Sequence, residues 1–182
     1  MRRYWVLMAL VALALAGRPA AGADPPIVLH RGQTELNFSF VMQEGEWGSG
    51  VTLSGRAGYL LTPHHEVGPI GSIIYSSPDQ GRNYWGGTVG AFYRYNLGTY
   101  GRFVIPYAGA AAMWAFGDAR QADTTITQLE AGVRLMLSST AAVNLGAVYQ
   151  RERTTYAQPL LQRTFAIVAG VAVFTRPVLH HR

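Results

Sequence analysis

Between Thr124 and Leu137 the chain reads TTITQLEAGVRLML, and its alternate residues suit two different solvents. Thr125, Thr127, Leu129, Ala131, Val133, Leu135 and Leu137 form one series, which becomes wholly apolar. Gln128, Glu130, Gly132 and Arg134 form the other, with both charges on the same side. Successive side chains of a strand point to opposite faces, so this segment is a strand with one apolar and one charged surface. A soluble sandwich turns the apolar face inward. A membrane barrel turns it outward to lipid and points the charges into its lumen.

The N-terminus separates these readings. Arg2 and Arg3 precede an apolar run from Trp5 to Ala16, Gly17-Arg18-Pro19 interrupts it, and Ala21-Gly22-Ala23 supplies a small-residue cleavage site. That layout predicts a secretory signal peptide over 1–23, too short to span a bilayer as a helix. No later stretch has the roughly 18 uninterrupted apolar residues of a transmembrane helix. The chain is therefore expected to be exported, and any membrane residence has to come from strands.

Composition removes several function classes. With no Cys there is no disulfide framework, thiolate metal site or Cys nucleophile. All the basic residues outside His are Arg, and the formal charge of +5 is inflated by the leader. Without Arg2, Arg3 and Arg18, twelve Arg face ten acidic residues. No basic stripe marks one face, which argues against a nucleic-acid partner.

Eight runs of strand character follow one another between 33 and 174: Gln33–Gln43, Gly50–Leu61, Val67–Ser76, Tyr84–Leu97, Arg102–Phe116, Thr124–Leu137, Ala141–Glu152 and Leu161–Phe174. Each has about the ten residues that cross a bilayer at a tilt. Gly98–Gly101, Ser138–Thr140 and Thr62–Glu66 read as short turns. Glu44–Ser49, Ser77–Asn83, Gly117–Asp123 and Arg153–Leu160 read as longer polar loops. Short turns on one side and long loops on the other divide the two ends of an outer-membrane barrel. The expected organisation is a signal peptide over 1–23, a periplasmic linker over 24–32, a barrel over 33–174 and a tail over 175–182. The fold class is all-β, an eight-stranded antiparallel up-and-down transmembrane β-barrel.

The stretches GGTVGAFYRYNLG (Gly86–Gly98), IPYAGAAAMWAFG (Ile105–Gly117) and LEAGVRLMLSSTAAVNLGAVYQ (Leu129–Gln150) resemble the outer-membrane β-barrel proteins related to OmpA and OmpX. The resemblance covers most of the chain after the leader. It implies an eight-stranded barrel with little or no catalysis and a role in envelope integrity, adhesion or limited permeation. Members of that group commonly end on a C-terminal aromatic read by the barrel-assembly machinery, whereas here Phe174 is followed by Thr175–Arg182. In the last run Phe165, Ile167, Val171 and Val173 compete with Val168 and Phe174 for the outer face.

Alternation then assigns an inward set: Glu35, Arg56, Arg94, Glu130 and Arg134, with Asn96, Gln128, Asn144 and Gln150. Ionised groups in so narrow a lumen have to pair, because an unpaired charge in low dielectric costs several kcal/mol. Eight strands leave room for little beyond side chains. The set therefore reads as polar filling, with a gate or ion path as the functional alternative. Tyr84, Trp85, Trp114 and Phe116 at the loop ends, and Tyr93 and Tyr95 at the turn end, suit interfacial girdles. Trp47, Arg151 and Arg153 are placed to touch lipopolysaccharide, Arg being suited to bidentate phosphate contact.

Catalytic arrangements are poorly served. His30, His64, His65, His180 and His181 lie in the linker, a turn or the tail, and none shares a strand face with a Ser. The side chains of His64-His65-Glu66 diverge and lack a second ligand pair, so no metal is expected. Gly86-Gly87 with Gly90 opens no helix and cradles no phosphate; it suits close backbone packing. The expected protein is a monomeric, non-enzymatic structural or interaction component of a Gram-negative outer membrane, without cofactor. Its expected partners are outer-membrane lipid, lipopolysaccharide and, during insertion, the assembly machinery. The alternatives are a narrow passive channel, and a soluble periplasmic ligand-binding barrel or lipid A-modifying barrel enzyme.

Overall fold

Gly, Thr, aromatic and β-branched residues at period two leave the backbone no stable helix, so its N–H and C=O groups pair between strands. In a computed structural model, residues 29–45, 48–78, 83–98, 103–118, 124–153 and 161–175 are described. They contain eight strands: β1 (Thr34–Gly45), β2 (Gly48–Leu60), β3 (His65–Pro78), β4 (Tyr84–Asn96), β5 (Val104–Gly117), β6 (Thr125–Met136), β7 (Ala141–Arg153) and β8 (Leu161–Phe174). Each pairs antiparallel with its sequence neighbour, and β8 returns to β1 to close the barrel. The closing seam pairs Glu35–Phe38 of β1 with Val171–Phe174 of β8, so that the first and last strands share backbone hydrogen bonds there instead of ending in free edges. The expected signal peptide and tail fall outside the described residues, apart from Thr175.

The register fixes the shape. From Phe38, cross-strand pairs lead through Gly55, Gly71, Val89, Trp114, Thr125 and Arg153 to Leu161 on β8. Phe38's own neighbour on β8 is Val171, ten residues further along (171 against 161). A stagger of that size around eight strands tilts them by roughly 40° and leaves an interior that side chains alone can fill. One irregularity is local. The β2–β3 ladder runs to Arg56↔Ile70 and resumes at Tyr59↔Val67. The gap lies beside Pro69, which has no N–H to donate.

The connections differ from expectation at two places. The first loop is not long, because Gly45 pairs with Gly48 and only residues 46 and 47 separate β1 from β2. The second turn closes at Leu61–His64, where Thr62 Oγ1 accepts the His64 and His65 N–H groups at 3.2 and 3.1 Å. β3 therefore begins at His65, and Glu66 is a strand residue rather than a turn residue. The Ser138–Thr140 turn is tight, with the Ser138 N–H donating to the Ala141 carbonyl at 3.1 Å.

Every strand presents an apolar outer face. Leu129, Phe165 and Ile167 are 60%, 69% and 77% exposed, and Phe38, Phe40, Leu53, Ile73, Val89 and Val171 are also exposed. The last strand resolves its competing faces: Phe165, Ile167, Val171 and Val173 point outward, and Phe174 is buried within. Rings collect at the two rims. Trp85 meets Phe116 edge-on at 6.0 Å near the loop end, and His65 meets Tyr93 and Tyr95 near the turn end.

The outer face yields a direct test. Leu129→Arg should destabilise the barrel in phospholipid vesicles by about 2–4 kcal/mol, the cost of Arg at a bilayer midplane. A urea folding titration measures this. A loss below about 0.5 kcal/mol, usual for exposed positions facing water, would show that this face meets no lipid.

Candidate functional site: the charged layer inside the barrel

Six ionisable side chains converge from five strands. Glu35 comes from β1, Arg56 from β2, Glu66 from β3, Arg94 from β4, and Glu130 and Arg134 from β6. All lie on the inward parity of their strands, and Glu35, Glu66, Arg94 and Arg134 are almost wholly buried. The five charged residues assigned inward from alternation are thus brought together, and Glu66 joins them. Its addition balances three guanidinium groups with three carboxyl groups.

Glu35 is the hub. Arg94 Nη1 donates to its two oxygens at 3.3 and 3.4 Å, Arg134 Nη2 donates to Oε2, and Asn144 Nδ2 donates to Oε1 at 3.0 Å. Asn37 Nδ2 adds a longer bond at 3.4 Å. Toward the loop end, Arg56 Nη1 donates to both oxygens of Glu130 at 2.7 Å, and Arg94 Nε reaches Glu130 Oε1 at 3.0 Å. Toward the turn end, Arg134 donates to Asn96 Oδ1 at 3.1 Å and Asn144 Oδ1 at 3.2 Å. Glu66 Oε2 lies 3.5 Å from Arg94 and 3.3 Å from Arg134. Its Oε1 is the one buried side-chain polar atom without a hydrogen-bond partner among the described residues.

The backbone makes space for these groups. Arg94, Gly109 and Glu130 occupy one rung across β4, β5 and β6. A Cβ at Gly109 would stand 3.0 Å from Glu130 Oε1, so glycine lets the two charged side chains meet over the strand between them. Tyr107 similarly lies over Gly132 and Gly146 in the next rung, where a Cβ would approach its hydroxyl to 2.7 or 2.8 Å. Aromatic rings face the guanidinium groups. Arg56 and Arg94 flank Phe92 at 5.4 and 5.7 Å, Arg94 also lies 4.4 Å over Tyr107, and Arg134 lies 5.0 Å over Phe174. Such contacts stabilise a desolvated cation without adding another acid.

Apolar layers lie on both sides of the charges. Ile70, Phe92, Met113 and Ile126 pack together toward the loops. Leu29, Leu60, Ile105, Met136, Ala142, Ala172 and Phe174 pack together at the turn end. Leu29 belongs to the segment expected to be a linker; here the chain ahead of β1 folds under the barrel, held by Gly32 N–H to the Leu60 carbonyl at 2.8 Å. Above the upper layer, Ser72 and Thr88 share a hydroxyl hydrogen bond of 2.8 Å.

Other expected positions fall elsewhere. Gln128 is buried in the lumen, while Gln150 donates to Glu152 at 2.6 Å near the loop end. His64 Nδ1 lies 2.9 Å from the Asn96 carbonyl, and His65 Nδ1 lies 2.8 Å from the Tyr93 hydroxyl. Arg151 and Arg153 are exposed on the outer face of β7. Trp47 lies outside the described residues, as does the Tyr84 side chain.

Glu66 was missed because Thr62-Pro63 before it and Pro69 with Gly71 after it look like one irregular connection. Its parity with Ile70 and Ser72 was the available signal. Tyr107 was missed because β5 is apolar on both faces, which erases the alternation.

The charged layer makes a quantitative prediction. Glu35→Ala removes the carboxylate that Arg94 and Arg134 share, leaving three buried guanidinium groups to two carboxyl groups, and should cost about 3–5 kcal/mol. A double-mutant cycle of Arg56→Met and Glu130→Gln should give a coupling of about 0.5–3 kcal/mol. Folding titrations in vesicles read both quantities. A near-zero coupling would mean that the contact is incidental.

No protein-family model matches the sequence, and no curated protein matches it. Solved structures do resemble it. The N-terminal β-barrel domain of Pseudomonas aeruginosa OprF aligns with a TM-score of 0.52 at 15% identity, covering 80% of this chain and 98% of that one. Neisserial surface protein A aligns with a TM-score of 0.53 at 18% identity, covering 78% of this chain and 94% of that one. The shared feature is the fold, which in this chain is a closed eight-stranded antiparallel barrel.

Proposed function

We propose that this chain is a non-enzymatic structural barrel of the Gram-negative outer membrane, closed to solutes and presenting its loops to the exterior. The turns, the start of β1 and the end of β8 face the periplasm. The carrying observation is the inversion of solvent preference: apolar side chains cover the outside of a closed sheet, while five buried ionisable groups, joined by the partly buried Arg56, sit at its centre. Removing apolar surface from water is worth roughly 25 cal/mol per Å², so an outside of this kind is stable only against lipid. The rings at both rims match the two interfaces of such a span.

The filled lumen favours a structural role over the channel and ligand-binding alternatives. Salt bridges occupy its middle, and an apolar layer packs on each side of them. A permeating ion would have to displace buried ion pairs and cross two apolar layers, each step unfavourable in low dielectric. A soluble ligand-binding barrel needs an open cavity and a polar exterior, which is the opposite arrangement.

Two measurements test the reading. In fractionated cells the protein should appear in the outer membrane as a compact band that migrates differently after boiling; recovery from the soluble periplasm would overturn the assignment. In planar bilayers the purified barrel should show no resolved conductance above the bare membrane. Steady openings at moderate voltage would establish the channel reading instead.

A further inference from the structure

The three exposed arginines at the loop end of β7 and β8 are held in an arrangement that the barrel itself does not explain. Arg151 on β7 is the direct cross-strand partner of Arg163 on β8, and Arg153 follows two residues later on the same face of β7. Their parity is outward, since the next rung on that face pairs Tyr149 with Phe165 and the one after it pairs Ala147 with Ile167. Thr127 and Thr125 of β6 stand opposite Arg151 and Arg153 and extend the polar patch sideways.

Like charges directly opposite one another in a sheet repel, and the arrangement is destabilising unless a counter-charge joins them. No carboxylate does so among the described residues: the ion pairs there belong to Arg56, Arg94 and Arg134. Glu152, the nearest acid in sequence, has the inward parity and accepts from Gln150. The patch also has a defined depth. Tyr149 and Phe165, exposed and apolar, lie one same-face step below the Arg151–Arg163 pair, about 7 Å along the strand at the usual rise. Side chains below the patch thus suit acyl chains, and the guanidinium groups lie at headgroup level.

We propose that Arg151, Arg153 and Arg163 form a binding site for the phosphate groups of an anionic glycolipid of the outer leaflet. This rests on the outer-membrane reading above; it carries further the lipopolysaccharide contact expected at Arg151 and Arg153, and adds Arg163 and the cross-strand pairing that builds the site. Planar guanidinium groups bind phosphate bidentately, and a phosphate between strands neutralises the Arg151–Arg163 repulsion. Lipid is the occupant because the site is continuous with the apolar band, so one molecule can engage both at once. A free phosphate or an acidic polypeptide would use the charges alone.

The test uses the full barrel in detergent micelles, with diphosphoryl lipid A, chemically dephosphorylated lipid A, inorganic phosphate and polyglutamate as probes. Diphosphoryl lipid A should bind at least tenfold more tightly than the dephosphorylated form. Arg151→Gln with Arg163→Gln should abolish that preference, and Arg151→Lys with Arg163→Lys should retain part of it. Equal binding of the two lipids, or an unchanged preference in the glutamine variant, would overturn the proposal. So would displacement by inorganic phosphate or polyglutamate at concentrations matching the lipid. The variants replace exposed side chains, and a compact, heat-modifiable band from the outer-membrane fraction verifies that they still insert. A barrel that inserts but ignores lipid phosphate defeats this site only; one absent from the membrane fraction defeats the outer-membrane reading.

Discussion

Buried charge has to be neutralised where it stands, and the interior of this barrel is arranged around that requirement. Glu35 cannot be moved away from Arg94 and Arg134 without leaving the buried layer one negative charge short, in a medium that solvates the excess guanidinium poorly. The three carboxyl groups reach the three guanidinium groups only because strands far apart in sequence are adjacent in the ring or face one another across it. Arg56 and Glu130 are on β2 and β6, and they meet because the lumen is narrow enough for two long side chains to span. Barrel size, set by strand number and stagger, is thus also the length scale of the ion pairs.

The glycines belong to the same constraint. At this diameter every inward position cannot hold a large side chain, so large groups lie over small ones on the neighbouring strand. Glu130 and Arg94 share the space above Gly109, and Tyr107 lies over Gly132 and Gly146. Glycine weakens an ordinary strand through lost packing and added chain entropy. Here the loss is offset by the contacts that its missing side chain admits.

The fold was legible where the two faces differ most in chemistry. β6 sets Leu129 and Val133 against Glu130 and Arg134, so strand, face and charge can all be read at once. Legibility failed where the lumen is apolar. Ile105, Tyr107 and Met113 point inward from β5 while Val104 and Trp114 point outward, and hydropathy does not separate them. β8 is ambiguous for the same reason: Phe174 is apolar but lies inside, beneath Arg134. Glu66 was hidden differently, by turn-forming neighbours that concealed the start of β3. Its place in the charged layer follows from the closed register, and its parity with Ile70 and Ser72 is the one local sign of it. Arg163 shows the converse. Its residue type was plain, but its meaning came from standing opposite Arg151, and that is a property of pairing.

The charged layer also selects one register from those the hydrogen-bond ladder would permit. Because side chains alternate with a period of two, a one-residue slip of β6 would turn Glu130 and Arg134 out to lipid and Leu129 and Val133 inward. An outward Arg on such a surface costs from about 0–1 kcal/mol near an interface to about 2–4 at the midplane. The same slip would strip Arg56 of its carboxylate and Glu35 of one guanidinium, so both faces penalise the error together. A purely apolar lumen would impose much less of this asymmetry, since Leu or Val is tolerated on either side of the sheet. The apolar layers above and below can therefore be permissive in composition, because the layer between them has already fixed which residues face in.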